Sequence, residues 1–248
     1  MKENKYDNDT FFEKYGQMTR SQKGLSGAGE WQYFQSLLPD FTGKRVLDLG
    51  CGYGWHCIYA MERGAASVVG IDISNKMLEV AKQKTLFTEV EYRNCAIEDI
   101  DFPEESFDII LSSLAFHYVE AYDTLVKKLF GILKPGGALI FTVEHPVFTA
   151  EGSQDWVYDS EGVIQHFPVD NYYYEGKRDT VFLGEKVVKY HRTLTTYLNT
   201  LLANGFIIKD IVEPKPLEHM LDNPGMADEM RRPMMLIISA AKLLKNEY

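Results

Sequence analysis

A chain of 248 residues that is 45% hydrophobic, 13% aromatic and 25% charged has enough apolar material to bury a core, which excludes wholesale disorder. Its 26 Lys plus Arg against 36 Asp plus Glu leave a formal net charge of −10, which disfavours nucleic acid and anionic membrane surfaces as partners. No run approaches the ~20 apolar residues of a membrane span, and the N-terminus lacks a signal-peptide core. Cys51, Cys57 and Cys95 suit neither a disulfide framework nor a zinc site. A cytoplasmic chain with reduced thiols and no metal is expected.

Residues 1–43 precede any strand and hold Tyr15-Gly16-Gln17-Met18-Thr19-Arg20 and Gly27-Ala28-Gly29-Glu30-Trp31. From Lys44 onward β-rich runs alternate with helical patterns, the mark of βαβ units and a mostly parallel sheet. Strands are predicted over 45–48, 67–72, 107–112 and 138–143, with a weaker edge strand over 90–93. One helix starts near Trp55, and another follows Ser74, whose hydroxyl can cap it, with Met77, Leu78 and Ala81 inward. The clearest helix, over 121–133, carries apolar residues at three- and four-residue steps. It stops at Lys134-Pro135-Gly136-Gly137, where proline cannot continue a helix.

Residues 146–192 break the rhythm with nine aromatics: Phe148, Trp156, Tyr158, Phe167, Tyr172, Tyr173, Tyr174, Phe182 and Tyr190. Turn signals such as Ser160-Glu161-Gly162 separate them, so the segment reads as an insertion and not as a βα unit. The alternation resumes with a helix over 194–203 and strands near 206–212 and 234–240.

The most informative run is Asp48-Leu49-Gly50-Cys51-Gly52-Tyr53-Gly54, a buried strand entering a glycine-rich turn and then a helix. Such a turn lets a ligand approach the backbone, with helix N–H groups aimed at it. The spacing is not that of a nicotinamide or flavin fingerprint, because the third glycine falls one position early and Trp55 stands where it belongs.

With Gly70-Ile71-Asp72-Ile73-Ser74, Phe107-Asp108-Ile109-Ile110, the run 114–119, and Leu133-Lys134-Pro135-Gly136-Gly137, this pattern resembles the class I S-adenosylmethionine-dependent methyltransferases, in their small-molecule branch. The motifs span about residues 44–144 in the family's order. The resemblance implies an α/β, Rossmann-like, doubly wound seven-stranded sheet, mostly parallel with one antiparallel strand. It implies a single domain made of an N-terminal cover (1–43), a cofactor-binding core (44–145), an inserted lid (146–192) and C-terminal strands (193–248). The implied cofactor is S-adenosyl-L-methionine. Gly50, Cys51, Gly52 and Gly54 would hold its methionine part, Asp48 would orient the ammonium group, and Asp72 would accept from two ribose hydroxyls, as a carboxylate can. The alternative for Asp72 is a turn or capping aspartate.

Ile73, Met77, Ala96, Ile97, Glu98 and Ser113 complete the expected cofactor contacts. Many relatives place an Asp where Cys95 stands, so Glu98, Asp99, a backbone carbonyl or water would receive the adenine amino group instead. Tyr15 is a candidate lid over the cofactor, and Arg20 is a candidate for its carboxylate or a solvated arginine on the terminus.

Methyl transfer by direct displacement needs the acceptor atom about 3–3.5 Å behind the methyl group, with water excluded. A hydroxyl or protonated amine also needs a base. His117 and His145 follow the fourth and fifth strands, where open α/β sheets collect ligands, and are the catalytic candidates, with capping or packing as the alternative. The insertion at that edge is expected to wall a small-molecule methyl acceptor, with Trp31 contributing from the other side. Alternatively its aromatics pack on themselves or in a homodimer. Competing functions are methylation of RNA or protein, or cofactor binding without catalysis.

Overall fold

The computed structural model describes residues 4–244. The terminal residues of the expected cover and C-terminal segments lie outside that range. Three short helices come first: α1 (Asp9–Gly16), α2 (Thr19–Lys23) and α3 (Trp31–Ser36). The alternating core follows as β1 (Arg45–Leu49), α4 (Trp55–Glu62), β2 (Ser67–Asp72), α5 (Asn75–Lys84), β3 (Val90–Asn94), β4 (Phe107–Ser113), α6 (Tyr122–Ile132) and β5 (Leu133–Glu144). Then come α7 (Pro146–Thr149), two hairpins, β6 (Val157–Tyr158) with β7 (Ile164–His166) and β8 (Gly176–Phe182) with β9 (Glu185–His191), and finally α8 (Leu194–Ala203), β10 (Phe206–Val212) and β11 (Met235–Lys242).

Seven strands form one sheet in the order β10-β11-β5-β4-β1-β2-β3. The five strands from β5 to β3 pair in parallel, and β11 runs against both its neighbours. β3 is the edge that its alternation predicts. The order reverses between β1 and β4, the switch point where open α/β sheets leave a crevice at the carboxyl ends of their strands.

Successive residues of a strand face opposite sides, so β1 feeds two cores. Leu47 and Leu49 pack with Ile71, Phe116, Leu125 and Leu129 on the α6 and α8 side. Val46 packs with Cys57, Ala60 and Leu78 on the α4 and α5 side. Each fully buried Val, Leu, Ile or Phe among them contributes roughly 1.5–3 kcal/mol.

Ser74 caps α5 as expected, its Oγ accepting from the Met77 N–H at 3.1 Å. β5 begins earlier than predicted, because Leu133 already pairs with Phe107 and the Pro135-Gly136-Gly137 stretch is carried as an irregularity in the strand. Among the described residues no helix is long and apolar enough to cross a membrane, and no cluster of metal-ligating side chains occurs.

Candidate functional site

A cavity of about 890 Å³ runs along the carboxyl edge of the sheet. Gly50 and Gly52 from the turn after β1, Asp72 and Ile73 at the end of β2, Met77 on α5, Ala96, Ile97 and Glu98 after β3, and Ser113 closing β4 wall one end. His117 and Tyr118 after β4, Glu144 ending β5, Phe182, Val187 and Tyr190 of the inserted hairpin, and Met234 and Met235 wall the other. Tyr6, Tyr15, Met18 and Arg20 cover it from the N-terminal segment.

The glycine turn is shaped by its neighbours. Gly52 has a φ of +52°, and a Cβ there would point into space with nothing within 4 Å, so the cradle lies open toward the cavity. Gly54, at φ +76°, is different: a Cβ would meet Tyr92 Oη at 2.2 Å. Its smallness serves the packing of the turn against β3, and it does not reach the cavity wall.

Asp72 Oδ2 accepts from the Gly52 N–H and Oδ1 from the Ser74 N–H, both at 2.9 Å. The turn-aspartate role therefore exists, and each oxygen keeps a further lone pair for a ligand. Burial pushes the Asp72 carboxyl up to about 6, against the pull of those N–H groups. The N-terminal cover is pinned to the same corner: Ser74 Oγ donates to Asp7 Oδ1 at 2.6 Å and the Lys76 N–H donates there at 3.1 Å. Nothing in the local sequence around Asp7 distinguishes it from a surface aspartate.

Asp48 does not line the cavity. The strand alternation turns it toward α4, where it is 1% exposed and accepts from Cys57 Sγ at 3.3 Å. Its Oδ1 has no partner among the described residues, and burial pushes the carboxyl up to about 7. Cys51 and Trp31 instead line a smaller space of about 70 Å³ that shares Tyr15, Arg20, Gly50, Gly52 and Ser113 with the main cavity. Arg20 is no solvated arginine, because its Nη2 donates to both oxygens of the buried Glu30 at 2.9 Å. Glu30 is a partner that sequence reasoning did not find.

The two histidines separate. His145 does not line the cavity. Its Nδ1 accepts from the Val147 N–H at 3.0 Å, which makes it the cap of α7. Its Nε2 lies 2.9 Å from Glu213 Oε1, at ion-pair distance. The turn from β5 into α7 needs that cap, and a base is not what the ring supplies there. His117 does line the cavity, is 2% exposed, and accepts the Glu144 N–H at Nδ1 over 3.3 Å.

Behind this end sits a buried network. Lys189 Nζ donates to Glu144 Oε1 at 2.6 Å and to Gln154 Oε1 at 2.8 Å, while Gln154 Nε2 donates to Glu144 Oε2 at 2.6 Å. Burial raises the Glu144 carboxyl, yet His117, Lys189 and Gln154 outweigh it and hold it below the usual carboxylate range.

Of the nine aromatics in the insertion, Phe182 and Tyr190 reach the cavity. Phe148, Trp156 and Phe167 pack on one another and around Arg232, whose guanidinium lies 4.6, 5.1 and 4.7 Å from their ring centres. Tyr173 and Tyr174 are exposed. The insertion therefore gives the cavity two rings, and self-packing describes the three-ring cluster.

A model of the methyltransferase domain family matches residues 47–141. A solved Listeria monocytogenes protein, described as an S-adenosylmethionine dependent methyltransferase, is 55% identical; the match covers 88% of this chain and 99% of that one, with a TM-score of 0.85. A second, from Mesorhizobium loti, is 41% identical over 88% of this chain and 99% of its own, with a TM-score of 0.81. A ubiquinone biosynthesis O-methyltransferase of Chelativorans is 34% identical over 54% of this chain and 53% of its own length. The protein belongs to the class I S-adenosylmethionine-dependent methyltransferases.

Proposed function

We propose that this enzyme methylates a small-molecule acceptor held inside the 890 Å³ cavity, the single observation that carries the reading. The volume falls within the range of roughly 300–1,000 Å³ typical of small-ligand sites. The N-terminal segment and the inserted hairpin both contribute to its walls, which carry no run of basic side chains. The match to an O-methyltransferase of ubiquinone biosynthesis supports the same substrate class.

S-adenosylmethionine supplies an electrophilic methyl group on a sulfonium. The residues present suit that cofactor. The open cradle at Gly52 admits a ligand against the backbone, and Asp72 retains lone pairs for ribose hydroxyls. Ile73, Met77, Ala96 and Ile97 offer apolar contact to adenine, with Glu98 beside them. Arg20, braced by Glu30, offers its remaining N–H groups to a carboxylate. Ser113 faces the same space, and Tyr15 closes it. Asp48 acts from behind the turn by holding the start of α4 through Cys57. Residues 44–145 form the cofactor half of one domain in this reading, and residues 4–43 and 146–192 cover it.

Calorimetry with S-adenosylhomocysteine tests the cofactor half: wild type binds, and Asp72→Ala weakens binding at least 100-fold, about 2.7 kcal/mol. Undiminished binding by that variant would sink the assignment. Mass spectrometry of a metabolite extract treated with enzyme and methyl-labelled cofactor tests the acceptor. Label in a small metabolite is expected, and label found only in RNA or protein overturns the reading.

A further inference from the structure

The hydrogen bonds around His117 restrict what the acceptor is. Its Nδ1 is taken by the Glu144 N–H at 3.3 Å, so in the neutral ring the proton sits on Nε2. Nε2 has no partner among the described residues, and it is not one of the buried orphaned atoms, so its N–H is left to whatever occupies the cavity. A ring fixed in this tautomer donates a hydrogen bond and has no lone pair with which to take a proton.

Glu144 and Tyr190, at the same end, are also engaged. Glu144 is bonded by Lys189 and Gln154, and Tyr190 Oη donates to Glu120 at 3.3 Å. Burial pushes the His117 ring down to about 4, with Lys189 and Arg192 acting in the same direction and Glu144 against them, so it is neutral at physiological pH. Glu144 is charge-balanced by Lys189, so an anion beside His117 is not repelled. The surrounding wall combines the apolar Val119, Phe182, Val187, Met234 and Met235 with the rings of Tyr118 and Tyr190 and the charged Glu120 and Lys177.

We propose that the acceptor is an apolar-bodied monocarboxylate, ionised before it binds, and that His117 holds one carboxylate oxygen through Nε2–H while the other oxygen is methylated. A carboxylate is deprotonated well below pH 7, so no base is required. The reacting oxygen uses a lone pair to form the new O–CH₃ bond. The S–CH₃ bond breaks and its electron pair stays on sulfur. The charges of carboxylate and sulfonium cancel, and the products are a methyl ester and a neutral thioether. No proton moves.

This inference rests on the methyltransferase reading, and its test separates the two. The enzyme is given methyl-labelled cofactor and a panel of medium-chain and aryl-substituted monocarboxylates with the matching alcohols, phenols and amines. Label is expected in methyl esters, with a rate flat from about pH 6 to 9. His117→Leu is expected to lose about 100-fold in kcat/KM for the acid, as for loss of an oxyanion donor. His117→Gln, which keeps an N–H at the same reach, recovers most of it. S-adenosylhomocysteine affinity is the same in all three proteins.

Nitrogen NMR of His117 gives a readout independent of turnover. A neutral Nε2–H ring at pH 7 is expected, and an Nδ1–H or protonated ring overturns the proposal. So does label in ethers or methylamines, or a rate that rises through a His117-dependent titration. Absence of label from every acid, with cofactor still bound, overturns the carboxylate assignment alone. Failure to bind S-adenosylhomocysteine overturns the methyltransferase reading beneath it.

Discussion

The cavity wall beside β1 and β2 is built of backbone and one short motif each, whereas the wall beside β5 is assembled from side chains far apart in the chain. The Gly50 N–H donates to the Ile71 carbonyl and the Gly52 N–H to Asp72, within a few residues of two adjacent parallel strands. Glu144, Gln154 and Lys189 come from a strand, a loop and a hairpin and meet only in the folded protein. On the proposed reading, the first wall would hold the family's common cofactor and the second the acceptor. Rigid strand ends preorganise the common part, and an inserted hairpin can change without disturbing them.

The largest expected effect lies in the second wall. Lys189→Met leaves Glu144 buried without its cation, which costs about 3–5 kcal/mol in urea unfolding, and adding Glu144→Leu recovers most of the loss. A single variant as stable as wild type would mean that the hairpin is not clamped by this pair.

In the first wall, Gly54→Ala forces a methyl group onto Tyr92 and costs about 1–3 kcal/mol. Gly52→Ala meets open space and costs about 1 kcal/mol of backbone strain, while weakening S-adenosylhomocysteine binding by tenfold or more. Equal effects of the two alanines on stability and on binding would erase the distinction between a packing glycine and a cradle glycine.

Asp48 gives a pH-dependent test of the same wall. Its folded-state value of about 7 lies above the ordinary 3.8, so the buried neutral carboxyl is favoured. Stability contributed by this group is complete below about pH 4 and is lost as the pH rises through about 7. Asp48→Asn should flatten the stability profile across that interval, as followed by urea midpoints. An unchanged slope would place the titration elsewhere. The smallest effect is expected for Phe182→Ala, which removes part of the apolar acceptor wall and raises the acceptor KM about tenfold, with S-adenosylhomocysteine affinity unchanged.

The elements follow the same division. Apolar periodicity and capping placed α6 and α8 within a residue of their observed bounds, and Ser74 as the cap of α5, because neighbours along the chain supply those signals. The strands carrying the cofactor edge were legible for the same reason. The motif position of Asp48 is local and points to a ligand contact, but the face its side chain takes is set by strand alternation and by the helix packed above. His145 and His117 look alike in sequence. One became a helix cap and the other a cavity residue through contacts with Val147 and Glu144. Tyr6, Glu30, Lys189, Met234 and Met235 carried no signal at all, since their partners are not their sequence neighbours.

By itself, the sequence determined the sheet architecture, the glycine turn and its acidic partner on β2, and with them the family and its cofactor, because those features depend on spacing over a few residues. Only the tertiary structure decided which histidine faces the cavity, what its Nδ1 accepts, and how the N-terminal segment and the hairpin contribute to the cavity walls. Those outcomes depend on burial and on hydrogen bonds between distant segments, and no local pattern encodes them.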